Sequence, residues 1–481
     1  MKRKRSRRSS YSTRRSNPSG KKQRRGLRRA LILTLVLIIA SAGLLTWRWR
    51  AWFGNFPELP YAPPQSIDRL SIVPGAHFAS SRTISWRCDS LLQDSWLEYG
   101  LAEGDTVILE RRWLPAEGVI ASSRSGKGAY YHAELHGLQA GKTYRYRVHT
   151  GQESSERYSF VIPPSDEETH FVYLGDVQDP SGEMSQELFA RLREQVPSPD
   201  FLAAAGDQIE GPCDHFWEAW YRAFAPWSGE LTTILSTGNH EYLKRGFFRE
   251  LDPRWVAQYN YPKNGPEGFE GRSYYIDFPL MRFIVIDSNG INGPIDIQRH
   301  RSWLRSALRS SAQPWQIVMF HHAVYTVRQG RSHPVMRYVF NPILEQEGAD
   351  LILQGHDHAY SRISSHTESG EAISPVYLIS SSSPKTYRNG WDERHDRLGS
   401  GLQLYQSIRV RADRLHYQSR QYNGELYDEI VLHHRPDAPA RVEDLATKIP
   451  EIFAFDGFGS DKKGQRKAEE YRTEIERRRR R

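Results

Sequence analysis

The sequence predicts an α/β domain over 168–434, preceded by an all-β sandwich over 67–163 and a single transmembrane helix over 30–47. Three observations carry this. Ala30 to Trp47 runs 18 residues without a charge, close to what a helix needs to cross a ~30 Å hydrocarbon core. Residues 67–163 break into short alternating segments separated by turns. Beyond them, apolar runs of strand length alternate with amphipathic helical stretches, which is the pattern of a layered α/β fold.

Charge divides the chain in the same places. Of a net charge of +9, the first 29 residues carry 14 basic groups and no acid. The last 26 residues hold 10 basic and 6 acidic groups, so the body between is acidic, at 42 basic against 51 acidic. The head, 1–29, is polar, Arg-rich and without apolar periodicity, and is expected to be disordered. Its charge orients the apolar run with the N-terminus in the cytoplasm and the body outside, periplasmic or extracellular. Ala40-Ser41-Ala42 also fits a signal-peptide cleavage site, and cleavage would leave the body secreted; the continuation of the run through Leu44, Leu45 and Trp47 favours an uncleaved signal-anchor. Two cysteines, Cys88 and Cys213, exclude a disulfide scaffold, and 12% aromatic residues exclude a wholly disordered chain.

Pro57, Pro60, Pro63 and Pro64 make 48–66 a stiff linker. In the β region TISWRC, SWLEYG, TVILERRW and AYYHAELH read as strands, followed by KTYRYRVHT and ERYSFVI. LHGLQAGKTYRYRV (135–148) resembles the end of a fibronectin type III module, with Leu138, Gly141 and Tyr144 at its corner turn. This domain reads as a spacer or as a wall beside a site.

From 168 onward one construction recurs five times: an apolar run ends in a loop rich in Asp, Asn or His. THFVYLGDVQD presents Asp176 and Gln178; DFLAAAGDQIE presents Asp207 and Glu210. LTTILSTGNHE presents Asn239, His240 and Glu241; PWQIVMFHHAVY presents His321 and His322; ADLILQGHDHAY presents His356 and His358. Helical candidates lie between them at 182–195, 214–225, 296–311 and 335–347. In layered α/β folds, ligand sites gather at the carboxyl ends of strands. Carboxylates, imidazoles and an amide carbonyl at those ends form a donor set for two cations of the Fe, Mn or Zn class, divalent or trivalent. Two cations about 3.5–4 Å apart suit a displacement at phosphorus. A Gly-Asp turn or a His-X-His alone is ordinary structure; the ordered set of five is not.

The set GD…GD…GNHE…HH…GHDH resembles the calcineurin-type metallophosphoesterases. The stretch GHDHAYSR (355–362) and the preceding sandwich resemble their purple acid phosphatase-like branch. The resemblance implies two mixed β-sheets sandwiched between helices, and phosphomonoester hydrolysis by attack of a metal-bound hydroxide, the acid phosphatase activity. It implies Asp176, Asp207 and His358 around a first metal, and Asp207, Asn239, His321 and His356 around a second. His240 would then serve the leaving group, oriented by Glu241, and His322 would contact substrate or support a ligand. Arg331 and His333, in RQGRSH (328–333), would bind substrate. The chain departs from the pattern at Gln178, where many members have histidine, and at Glu210, where purple acid phosphatases have tyrosine. Either residue could complete the first site, and without the tyrosine no purple absorption is expected. A phosphodiesterase or nucleotidase of the same fold, and a non-catalytic binding protein with a decayed first site, stay open as alternatives. Phosphate ester substrate and membrane are the expected partners and nucleic acid is not; oligomeric state, physiological substrate and the metals themselves are not legible. In 401–434, Asn423-Gly424 marks a hairpin, and 435–481 reads as a charged tail that shifts from Pro to a helical stretch ending in five arginines.

Overall fold

The computed structural model describes residues 18–480, apart from 104–106, 165–166, 247, 391–392 and 456–457. It divides into two units, residues 1–55 and 56–481. Within the first, one helix runs Pro18–Phe53, and its segment Leu27–Trp49 is long and apolar enough to cross a membrane. The helix therefore takes in residues 18–29, which the sequence reading left disordered; Lys, Arg and Gln are good helix formers and extend a helix already nucleated. The rest of the head lies outside the described residues.

The second unit begins with the β sandwich. One of its sheets pairs Ser95–Glu103 with Val107–Pro115 and Thr143–Thr150. The other pairs Arg82–Cys88 with Asp68–Pro74 and Lys127–Leu135. Trp86, Leu97, Tyr131, Tyr146 and Phe160 fill the space between them. The corner forms where the sequence placed it: the Tyr144 hydroxyl accepts from the Gln139 amide at 3.0 Å. The sandwich is not a separate body, because Ile72 of its first strand pairs in parallel with Thr232 of the following domain.

The α/β domain has two mixed sheets. In one, Thr169–Leu174, Phe201–Ala204 and Thr232–Leu235 lie parallel, so Leu174, Ala204 and Leu235 end side by side. In the other, Met281–Ile286, Trp315–Phe320, Leu351–Gln354 and Ala372–Ile379 lie parallel. Antiparallel strands Leu404–Val410, Arg414–Gln421, Leu426–His433 and Arg441–Asp444 extend the first sheet to the edge of the second. Helices Glu183–Gln195, Asp214–Phe224 and Pro294–Arg309 cover the faces. Each side of these strands is apolar because both faces are covered, which is why they read as continuous runs rather than alternations.

Residues 435–481 are not a loose tail. Arg441–Asp444 is a strand, and the helix Lys462–Arg479 buries Ala468, Tyr471 and Ile475. Tyr471 and Ile475 pack with Leu398 and with Ala323, Val327 and Ala359, which follow the HH and GHDH motifs. The helix is the charged helical stretch that the sequence predicts, and its narrow apolar face gives it a buried side.

A buried ion cluster joins the linker, the sandwich and the α/β domain. Asp214 bonds Arg69 at 2.8 Å, Arg87 at 3.2 Å and Arg254 at 2.7 Å. Glu58 of the linker pairs with Arg254 and Arg124, Asp68 with Arg87, and Asp252 with Arg254. Four guanidiniums thus face four carboxylates. Burial alone would raise the Asp214 pKa, but Arg69 and Arg254 outweigh it and hold it at about 2. Its stabilising charge is therefore present above the ordinary value of 3.8 and is lost as pH falls towards 2. Asp214→Ala should lower stability by about 3–5 kcal/mol, the cost of leaving buried cations short of a partner, read as a fall in Tm at pH 7. The difference from the parent should shrink progressively as unfolding is followed from pH 4 down to 2.

Candidate metal centre

Five loops following the parallel strands converge on one point. Asp207, His356 and His358 adopt left-handed backbone with φ of 52°, 76° and 45°, a conformation that costs energy for residues with a Cβ and clusters at functional sites. Space is equally tight: a Cβ on Gly206, itself at φ 88°, would stand 2.6 Å from the Gly238 amide nitrogen. The two GD/GN loops can meet only because neither glycine carries a side chain.

The seven ligand candidates come together. His321 Nε2 lies 3.2 Å from Asp207 Oδ2, 3.3 Å from Asn239 Oδ1 and 2.9 Å from His356 Nδ1. His358 Nε2 lies 3.7 Å from Asp176 Oδ1 and 2.8 Å from Gln178 Nε2. Asp207, His321 and His356 present donor atoms all within 4.8 Å of one another. Asp176, Gln178, Asp207 and His321 are buried. Asp176 Oδ1, Gln178 Oε1 and His358 Nδ1 are buried without a hydrogen-bond partner, an arrangement that is costly unless something else satisfies the group. Mixed oxygen and nitrogen donors with orphaned lone pairs fit a pair of transition-metal ions.

The electrostatics point the same way. Burial pushes Asp176 up to about 7 and Glu241 up to about 8, and in both the nearby Asp207 charge adds to the rise. Asp207 itself is held far below the ordinary range; burial opposes this, but His321 and His240 outweigh it. His321 is correspondingly raised to about 9, burial again opposing and Asp207 prevailing. Burial depresses His356 and His322 strongly, and brings His333 to about 4 and His358 to about 3. In all four, burial favours the neutral ring, the form that can ligate a metal.

One expectation needs correction, and one open alternative can be placed. Glu241 does not orient His240. Its carboxylate is fully buried and accepts backbone N–H groups from Asp207 at 3.0 Å, Gln208 at 2.9 Å and Gly238 at 2.6 Å. The carboxylate is thus a clamp between the second and third motif loops, because those amides have no other acceptor at a tight turn. His240 is oriented instead by Glu210, whose main-chain carbonyl takes its Nδ1, while the His240 amide donates to Asp207 Oδ1 at 2.8 Å. Glu210 also does not turn inward. Both its carboxylate oxygens lie 2.6 Å from Lys385 Nζ, whereas the Gln178 amide stands beside His358, its Nε2 2.8 Å from the His358 Nε2.

His322 is held by Ser288, through its Nδ1 at 3.1 Å and its amide at 3.2 Å. His333 stacks near it with ring centroids 4.5 Å apart, its Nε2 buried without a partner. Arg331 donates to the His356 carbonyl at 2.9 Å and to Asp357 at 3.4 Å. The sequence reading missed Lys385, Tyr387 and Asp357. Asp357 accepts the amides of Val327 at 2.7 Å and Arg328 at 3.0 Å, fixing the arginine loop. Tyr387 lies under the Arg328 guanidinium, 3.5 Å away, and edge-on to His358. Asp357, sitting inside GHDH, was the legible one of the three.

Comparison with known families decides what these loops belong to. Residues 169–360 match the family model "Calcineurin-like phosphoesterase", and residues 67–162 match "Purple acid Phosphatase, N-terminal domain". The chain carries a calcineurin-like metallophosphoesterase domain behind a purple acid phosphatase N-terminal domain. Purple acid phosphatase 22 of Arabidopsis thaliana is 23% identical over 266 residues, covering 52% of this chain and 58% of the relative. Purple acid phosphatase of Glycine max is 26% identical over 273 residues, covering 51% and 56%. The chain thus spans less than two thirds of the length of these relatives. Among solved structures, purple acid phosphatase PPD1 from yellow lupin superposes with a TM-score of 0.64 at 15% identity, covering 77% of this chain and 75% of that one. PhoD superposes with a TM-score of 0.56 at 14% identity, covering 89% and 100%. These structures share the fold. In the metallophosphoesterase domain, Glu241→Leu should destabilise the chain by at least about 3 kcal/mol, since three buried amides lose their acceptor. Glu241→Gln, which keeps one carbonyl, should cost clearly less; chemical denaturation of both variants checks the order.

Proposed function

We propose that this chain is a metal-dependent phosphoesterase that hydrolyses phosphomonoesters, held outside the cytoplasm by its N-terminal helix. The observation that carries the reading is the convergence of Asp176, Gln178, Asp207, Asn239, His321, His356 and His358 with orphaned, inward donor atoms. Asp176, Gln178, Asp207 and His358 would hold one metal ion; Asp207, Asn239, His321 and His356 would hold the other. When bound, such a pair supplies an activated water and neutralises charge on the phosphoryl oxygens.

The remaining chemistry belongs to side chains. The His240 Nδ1–H donates to the Glu210 carbonyl, which leaves Nε2 to carry the proton that the departing oxygen needs. Lys385, by gripping Glu210, keeps that carbonyl in place and so positions His240 at one remove. His322 and His333 stand beside His356 on the opposite side, with donor atoms within 4.8 Å of one another, and are suited to phosphoryl oxygens. Arg331 is tied to His356 and Asp357, so it contributes positive charge rather than a mobile contact. The orientation rests on the 14 basic residues ahead of the apolar span and on Trp47, Trp49 and Trp52 at its far end, an arrangement that favours a cytoplasmic N-terminus and an interfacial aromatic belt.

Asp207→Asn and Asn239→Ala should each lower hydrolysis of an aryl phosphate at least about 100-fold, by weakening metal binding and losing transition-state stabilisation. Elemental analysis should find about two transition-metal ions per chain in the parent and fewer in Asp207→Asn. Parent-like activity in both variants would sink the two-metal reading; a chain that binds no metal would favour the non-catalytic alternative.

A further inference from the structure

The chain enters the body at Phe56, beside two of the motif loops. Six residues, 50–55, separate the apolar span from Phe56; even fully extended they reach only about 22 Å. From Phe56 the chain is bolted down. The Phe56 carbonyl accepts from Arg124 at 2.6 Å, and its ring meets Phe216 edge-on and covers Gly211, where a Cβ would stand 2.6 Å from it. Glu58 is buried in the ion cluster, pairing with Arg254 at 2.5 Å and accepting the Asp214 amide at 2.9 Å. Gly211 directly follows Glu210, the residue that orients His240. Arg254 stands three residues beyond the hairpin of Tyr242–Arg245 and Phe248–Leu251, which leaves the GNHE turn without a break. The tether therefore joins the body beside the second and third motif loops, not on a distant face.

This neighbourhood has the chemistry of a membrane-contact surface. Phe248 is 68% exposed, Leu59 80%, Phe56 47% and Val256 46%. The hairpin carries Lys244, Arg245 and Arg249 against one acid, Glu250. Exposed aromatics flanked by basic residues bind anionic bilayers by combining apolar insertion with attraction to headgroups. Tyr242, Leu243 and Leu251 at its base are buried, while Arg245, Phe248, Arg249 and Glu250 towards its tip are exposed.

We propose that the hairpin and the Phe56–Leu59 segment dock on the bilayer that holds the N-terminal helix, and that the substrate is a phosphomonoester borne on a lipid headgroup of that same membrane. This rests on the anchored phosphoesterase reading above. The lipid phosphate and water give a lipid alcohol and inorganic phosphate: the water oxygen bonds to phosphorus, the lipid-side P–O bond breaks, and the leaving oxygen takes a proton.

The test uses the full chain, metal-loaded, in vesicles of phosphatidylcholine and phosphatidylglycerol containing phosphatidate, with a soluble aryl phosphate assayed in parallel. Two variants are compared with the parent: Phe248→Ser combined with Arg249→Ser, and a 40-residue Gly/Ser insertion after Asn55. Both should lower phosphatidate turnover at least ten-fold and leave aryl phosphate turnover within two-fold. Because Cys88 and Cys213 are buried, Phe248→Cys can be labelled alone with an environment-sensitive dye, whose emission should shift to the blue in these vesicles relative to detergent. Equal phosphatidate turnover in all three proteins, no dye shift, or a parent that cleaves the aryl phosphate but not phosphatidate would overturn the proposal. A metal-loaded parent inactive on both substrates would overturn the phosphoesterase reading and this inference with it.

Discussion

Three carboxylates, Asp176, Asp207 and Glu241, are buried within one knot of loops, and most of the active-site face is arranged around making that tolerable. Like charges out of water raise one another's pKa and oppose folding. The chain answers differently at each. Glu241 is surrounded by backbone amides, Asp207 is neutralised by His321 and by the His240 amide, and Asp176 takes the His356 amide at 2.6 Å while one oxygen goes unsatisfied. The left-handed turns at Asp207, His356 and His358 follow from the same requirement, since only such turns aim donors from adjacent parallel strands at one point.

The β sandwich and the linker belong to the same mechanical unit. A parallel pair at Ile72 and Thr232 makes the sandwich continuous with the first sheet, and the cluster around Asp214 welds Glu58, Arg69, Arg87 and Arg254 together. Buried ion clusters contribute little net stability compared with apolar packing, but they are intolerant of partial assembly. The consequence is a fixed register between tether and motif loops. On the other flank, the C-terminal helix and Arg362, bonded to Asp428 at 2.8 Å and Asp444 at 2.6 Å, hold the GHDH strand against the last strands of the chain. The arginine of GHDHAYSR is thus a brace rather than a substrate group.

Much of this was legible in the amino-acid order, for a physical reason. A buried parallel strand must be apolar along its length, so a polar cluster at its end stands out, and five such ends in order give both the layered fold and the ligand residues. The apolar span and the corner tyrosine are equally local signals. What escaped was whatever depends on partners distant in sequence: Lys385 gripping Glu210 across 175 residues, Asp357 organising the arginine loop, and the packing of the C-terminal helix against the body.

The sequence by itself therefore indicated the order of domains, a candidate donor set and the class of chemistry such a set can support, because each is written in contiguous residues and their periodicity. Only the tertiary structure tied Glu210 to Lys385, set Gln178 beside His358, moved Glu241 from orienting His240 to clamping two loops, and packed Phe56 over Gly211. Those are questions of which group satisfies which charge or hydrogen bond in a crowded interior, and their answers arise only once the strands are side by side.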